Sequence, residues 1–199
     1  MSARRLPVLR RLAANRDGVS VVEFALLAPV LLLTLLGIFD MGFSVYAQTM
    51  LQGAIQNAAR GSSIQASSSS ALDAAVTTAV KRVIPSATLT FSRKSYTNFS
   101  DVGVPEDFTD TNGDGTCDNG EPYTDINGNG VWDSDRGLAG GGGARDAVLY
   151  SVTMTFPRIM PVQAFMHISP TVSLTATTVL RNQPWQLQTV TAPVVRNCP

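Results

Sequence analysis

The chain has 199 residues, with 15 Lys plus Arg against 15 Asp plus Glu and a formal net charge of zero. A hydrophobic content of 44% supplies a folded core and excludes wholesale disorder, while 15% charged residues is far below the ~25% of an ordinary soluble domain and points to a membrane or assembly protein. A neutral total excludes nucleic-acid binding driven by overall basic charge.

The zero hides a segregation of charge. Residues 1–18 carry Arg4, Arg5, Arg10, Arg11 and Arg16 against Asp17, whereas residues 19–199 carry ten basic and fourteen acidic residues, a net of −4. Residues 1–18 thus read as a basic cytoplasmic leader. Val19–Phe39 follows as VSVVEFALLAPVLLLTLLGIF, with a single charge. A helix of that length spans about 31 Å, enough to cross a bilayer core. The arginines in front of it predict a cytoplasmic N-terminus, with the chain beyond Asp40 outside the membrane. The stretch exceeds the apolar region of a secretory signal, about 7–15 residues, and Asp40-Met41-Gly42-Phe43 is not a small-residue cleavage site.

Glu23 is the fifth residue of this run. A charged residue at mid-membrane costs ~2.5–3.5 kcal/mol, and less near the edge, so a partner is expected. Cleavage after Gly18 would place an ammonium on Val19, one helical turn from Glu23, to be neutralised within the chain or between neighbours. A helix N-terminus by itself also favours a carboxylate, and a plain uncleaved anchor remains the other reading.

Gly18, the apolar run and Glu at its fifth position resemble the class III signal of type IV pilins and pseudopilins. The longer string RRLAANRDGVSVVEFALLAPVLLLTLLGIFDMGF resembles the TadE/TadG-like proteins of the tight-adherence (Flp) pilus system. The similarity continues more weakly in AIQNAARGS at 54–62 and returns in YSVTMTFPRIMP and TVSLTATTVLR. It implies cleavage after Gly18 by a prepilin peptidase, methylation of the Val19 amine, a role as a minor pilin or pseudopilin, and no enzymatic activity. The implied partners are the bacterial inner membrane, the peptidase, other pilin-like subunits and the pilus assembly machinery. The implied location is a single inner-membrane pass with a periplasmic C-terminal domain, or incorporation into a surface pilus. Neither nucleic acid nor a small-molecule substrate is expected.

Further along, Phe43, Tyr46, Ala47, Met50, Ala54 and Ala58 recur at three- and four-residue steps and extend the helix to about residue 60. Pro29 is expected to bend it. Residues 61–70, GSSIQASSSS, read as a flexible break. Residues 71–84 read as a short amphipathic helix stopped by Pro85, with Ser70 or Asp73 as its cap. Strands are predicted at about 87–93, 147–156 and 171–181 from β-branched residues and alternation. The fold class is α+β: a long transmembrane and pilin-like helix over 19–60, then an extracytoplasmic α+β domain of 61–97 and 147–199 with a short second helix and a small antiparallel sheet. Residues 182–199 show no pattern, apart from Trp185 as a pin for the tail.

Residues 98–146 read as an acidic insertion into that domain. Ten acids and no Lys or Arg fall within 101–135. DTNGDGTCDNGE matches a twelve-residue EF-hand loop, with Asp110, Asn112 and Asp114 at positions 1, 3 and 5 and Gly115 at the turn. Thr116 would offer its carbonyl at position 7, Asp118 would act at 9, and Glu121 would supply two oxygens at 12. A copy follows fifteen residues later, with Asp125, Asn127, Asn129, Gly130 and Asp133 at positions 1, 3, 5, 6 and 9. Its position 12 is Arg136, so this site is expected to be weaker, to use Asp135, or to share Glu121. Calcium is the cation expected, ordering the insertion rather than driving a sensor, because Gly103, Pro105 and Pro122 break the flanking helices. The bland alternative is a solvated acidic loop. GLAGGGG at 137–143 reads as a flexible return to the sheet.

Cys117 and Cys198 are the only cysteines, and the sequence leaves open whether they bond. His167 is the only histidine, and no nucleophile, phosphate-loop or zinc pattern accompanies it. Two functional readings follow. One is a pilin-like assembly protein with a calcium-stabilised insertion. The other is a stationary single-pass anchor presenting a calcium-dependent binding module.

Overall fold

A computed structural model describes residues 18–64, 69–143, 145–161, 163, 168–181 and 192–199. Residues 1–17 of the basic leader, His167 and Trp185 lie outside the described residues. The chain divides into two compact units, Met1–Val45 with Arg158–Pro170, and Tyr46–Pro157 with Thr171–Pro199.

Helix α1, Val19–Ile64, runs through Pro29 and over Gly61, so the predicted break at 61–70 starts as helix. In its N-terminal part Val21, Phe24, Leu26, Leu27, Val30 and Leu31 are all exposed. It is long and apolar enough to cross a membrane. This fits a single-pass membrane anchor.

In the second unit the same helix buries Ala47, Leu51 and Ile55, one turn apart. The face predicted from sequence is therefore slightly misplaced. Tyr46 is exposed, whereas Leu51 and Ile55, absent from the predicted face, fill the core. Steps of four carry the bulky side chains inward, and the small Ala54 and Ala58 flank them.

Helix α2, Ser69–Val83, buries Leu72, Val76 and Val80. Asp73 does not cap it. Its carboxylate instead accepts from the Tyr150 hydroxyl at 2.7 Å and pairs with Arg93. Arg93 also donates to the Ser69 carbonyl at 3.0 Å and lies 4.7 Å over the Tyr150 ring. Burial, then the hydrogen bond to Asp73, pushes the Tyr150 hydroxyl well above the usual phenol range.

The main sheet is antiparallel. It comprises β1 (Thr88–Tyr96), β3 (Leu138–Ala139), β4 (Ala147–Pro157) and β5 (Thr171–Arg181), in the order β3-β1-β4-β5. The central strand β4 buries Val148, Tyr150, Val152, Met154 and Phe156 in strict alternation, so one of its faces is core from end to end. The long strands lie close to their predicted ranges, and the fold class is α+β as expected.

The glycine tract is not a loose return. Leu138–Ala139 pairs with β1, and a Cβ on Gly137 would sit 2.6 Å from the Tyr96 ring. Asp135 holds the same corner, accepting from Lys94 at 2.8 Å and Tyr96 at 2.9 Å. Burial, then the bond to Asp135, pushes the Tyr96 hydroxyl up to about 12.

A second, two-stranded sheet pairs β2 (Pro122–Asp125) with β6 (Val194–Asn197). Val194–Asn197, in the tail that showed no sequence pattern, therefore pairs with the acidic insertion. Cys117 and Cys198 form a disulfide beside this ladder, with Cα atoms 5.5 Å apart.

Candidate functional site

At the N-terminal end, Gly18 accepts from the backbone N–H of Val22 at 3.1 Å and α1 begins at Val19. Val19 and Glu23 are therefore one helical turn apart, and Glu23 is exposed. The three processing residues fall where the chain enters the apolar helix.

The acidic loops are built from short side chains folded onto their own backbone. In the first, Asp110 accepts from the N–H groups of Gly113 at 2.5 Å and Gly115 at 2.9 Å. Asn112 accepts from Asp114 N–H at 3.0 Å, and Asp114 accepts from the N–H of Thr116 at 2.8 Å. The second loop repeats each step. Asp125 accepts from Gly128 at 2.7 Å and Gly130 at 2.9 Å, Asn127 from Asn129 at 3.0 Å, and Asn129 from Val131 at 2.8 Å. Gly115 and Gly130 have φ of 77° and 83°, a conformation open to glycine and strained for other residues, which explains their common position.

The segments that lead into the two loops pair with each other in antiparallel fashion. Thr109 N–H donates to Pro122 O at 2.9 Å, and Thr124 N–H donates to Asp107 O at 2.8 Å, while Phe108 and Tyr123 form the antiparallel bridge between them. Phe108 and Tyr123 are repeat mates fifteen positions apart, and the repeat exchanges the two hydrogen bonds, since Thr109 corresponds to Thr124 and Pro122 to Asp107.

That symmetry exposes a residue the sequence reading missed. Glu121, 2% exposed, closes the first loop by accepting from the N–H of Thr111 at 2.7 Å and, more loosely, of Asp118 at 3.5 Å, at positions 2 and 9. Glu106, 1% exposed, closes the second loop in the same way, accepting from Ile126 at 2.8 Å and Asp133 at 3.2 Å, again positions 2 and 9. Neither Asp135 nor Glu121 makes these two bonds: Asp135 accepts from Lys94 and Tyr96, and Glu121 accepts from the first loop. Counting forward to position 12 reaches Arg136, whose guanidinium donates to Pro105 O at 3.0 Å and leans toward Asp101 and Asp107. Counting the repeat backward finds the answer. Glu106-Asp107-Phe108-Thr109-Asp110 aligns with Glu121-Pro122-Tyr123-Thr124-Asp125, and each glutamate closes the other repeat's loop.

The loops differ in charge. Asp125 is fully buried and takes Arg196 Nε from β6 at 2.7 Å. Burial pushes its carboxyl up, but Arg196 and the Gly128 and Gly130 N–H groups outweigh this and hold it below the usual carboxylate range. Asp110, its counterpart, is exposed and among the described residues accepts from the backbone N–H groups of Gly113 and Gly115. Glu121 is held low chiefly by the Thr111 N–H, and Asp114 by the Thr116 hydroxyl and N–H.

The donor set of the first loop, four carboxylates and an amide oxygen, has the hard-oxygen chemistry a calcium ion takes. Its oxygens are turned to internal donors: the Asn112 amide bridges Asp114 at 2.9 Å and Asp118 at 3.4 Å. In the second loop the Asn127 and Asn129 amides both reach Asp133, at 2.8 and 2.6 Å. Among the described residues no three acidic, His or Cys side chains stand together as a ready metal cage. A cation would have to replace the amide bridges.

The chain matches the family model of the TadE-like proteins over residues 18–60, about a fifth of its length. No curated protein and no solved structure matches it. The matched segment begins at Gly18 and covers the apolar helix. Together they fit a pilus-associated membrane protein of the TadE/TadG-like kind, a family of pilus components rather than a known family of enzymes.

Proposed function

We propose that this protein is a minor pilin or pseudopilin of a tight-adherence type pilus, anchored by α1 in the bacterial inner membrane with its C-terminal domain in the periplasm. A prepilin peptidase cuts after Gly18, and Glu23 neutralises the new Val19 amine in its own chain or in a neighbouring subunit. The observation that carries this reading is the coincidence of three boundaries. The family match starts at Gly18, the helix starts at Val19, and the exposed Glu23 stands one turn further on. The intact mass of protein taken from membranes, with and without the peptidase, tests it. Loss of residues 1–18 only when the peptidase is present is the expected result, and a full-length mature protein would sink the proposal.

The same reading assigns calcium to the acidic insertion. The cation binds first at Asp110, Asn112, Asp114, Thr116, Asp118 and Glu121, where carboxylates outnumber internal cations. The second loop, Asp125, Asn127, Asn129, Asp133 and Glu106, binds more weakly because Arg196 already neutralises Asp125. Extracellular modules of this type bind at ~10⁻⁴–10⁻³ M, so the ion acts as a structural clamp. Calorimetric titration of wild type against Asp110→Ala with Glu121→Ala should show loss of the tighter site in the variant. Equal binding by the two proteins refutes the assignment.

A further inference from the structure

The first compact unit joins the N-terminal part of α1 to the chain between β4 and β5, Arg158–Pro170. Asp40 is the first ionisable residue after Glu23 and directly follows the apolar run. Its neighbours Ile38, Phe39 and Met41 are all strongly exposed, yet the Asp40 side chain is only 12% exposed, because Arg158 pairs with it. Arg158 is fixed in turn by its backbone N–H on Pro170 O and its Nε on Ser169 O, both at 2.9 Å. On either side of this clamp Ile159 is 59% exposed and Ile168 is 38% exposed.

We infer that Ile159 and Ile168, beside the Arg158 clamp, form a second membrane contact seated in the surface of the bilayer that α1 crosses. The inference rests on the reading of Val19–Phe39 as the span. Asp40 then marks the level at which α1 leaves the hydrocarbon, and the ion pair with Arg158 holds the adjoining Ile159 and Ile168 near that level. Arg158 and Asp40 neutralise each other, so no net charge opposes entry of this contact into the interface. Isoleucines held at that depth meet acyl chains and headgroups rather than bulk water, as the apolar face of an interfacial element does. Two such side chains are too few to hold a free protein to a membrane, but the span already keeps them at the surface, where a small apolar contact suffices. The occupant is the lipid surface itself, continuous with the lipid around α1.

The test uses the full-length protein in phosphatidylcholine vesicles. Cys117 and Cys198 are bonded to each other, so a single introduced cysteine is the only free thiol. An environment-sensitive fluorophore is placed on Ile159→Cys, on Ile168→Cys, on Leu31→Cys in the span and on Val131→Cys at the tip of the second acidic loop. Spin-labelled lipids should quench Ile159→Cys and Ile168→Cys several-fold more than Val131→Cys, with Leu31→Cys quenched as well. Quenching of Leu31→Cys alone overturns the inference and leaves the span standing. Loss of quenching at Leu31→Cys overturns the membrane reading on which both depend. A blue shift at the two isoleucine positions that grows with protein density, without lipid quenching, assigns the contact to a neighbouring copy and likewise overturns the inference.

Discussion

Glu106→Ala is expected to loosen the acidic insertion by about 2–4 kcal/mol, because it leaves two part-buried N–H donors, on Ile126 and Asp133, without an acceptor. The loss should be local. Backbone amides between β1 and β4 would exchange faster, while those of the β1–β4–β5 sheet stay protected. Glu106→Gln keeps the shape but offers one oxygen to two donors, so it should fall between wild type and alanine. Asp107→Ala is the control. Its side chain is 80% exposed, its contact with Arg136 is long at 3.5 Å, and an exposed pair of this kind contributes little. Hydrogen exchange read by mass spectrometry decides the matter. If Glu106→Ala and Asp107→Ala behave alike, Glu106 does not close the second loop. If Glu106→Ala also weakens only the second calcium event in a titration, the reciprocal exchange of glutamates extends to the cation.

The second large effect belongs to the disulfide. Cys117 and Cys198 are 81 residues apart. Chain-entropy arguments for a loop of that size give about 4.5 kcal/mol, and measured values are commonly about 2–4. Cys117→Ser with Cys198→Ser should therefore lower Tm by roughly 5–15 °C for a domain of this size. Thermal melting in detergent, with oxidised wild type beside it, gives the comparison. Reductant should lower the wild-type Tm toward that of the variant and leave the variant where it is. An unchanged Tm in the double variant would mean that the four residue pairs of β2 and β6, with the Arg196–Asp125 ion pair, already hold the tail.

What was legible in the sequence was what is local. The apolar run from Val19 carries its own length and charge boundaries, and α2 repeats its apolar residues every four positions. The three long strands alternate over seven or more residues. What was not legible depends on distant partners. β6 is four residues long and all exposed, and only its pairing with β2 makes it a strand. Leu138–Ala139 lies in a glycine tract and is a strand only against Lys94 and Ser95. The helix face was misjudged by a position because the i, i+4 row through Leu51 and Ile55 competes with a nearby row of smaller residues. For the acidic loops the ligand-like positions could be read within each twelve-residue window. The closing glutamate of the second loop could not, because it lies nineteen residues before the start of that loop's Asp125 turn, on the other side of the first loop.

The pairing of β2 with β6 has a kinetic consequence. The ladder joins residues 122–125 to residues 194–197, and β3, β4 and β5 all lie between them in the chain. Contacts of such long sequence separation form after the nearer ones have shortened the path between their ends. The β4–β5 hairpin is near, and β1 reaches β4 across the acidic segment. The insertion can therefore gain its last strand only when the sheet it interrupts has brought the tail round. Refolding should show the Arg196–Asp125 corner assembling in a later phase than the Tyr150 face, so the acidic segment is the first part of the domain left open when folding stalls.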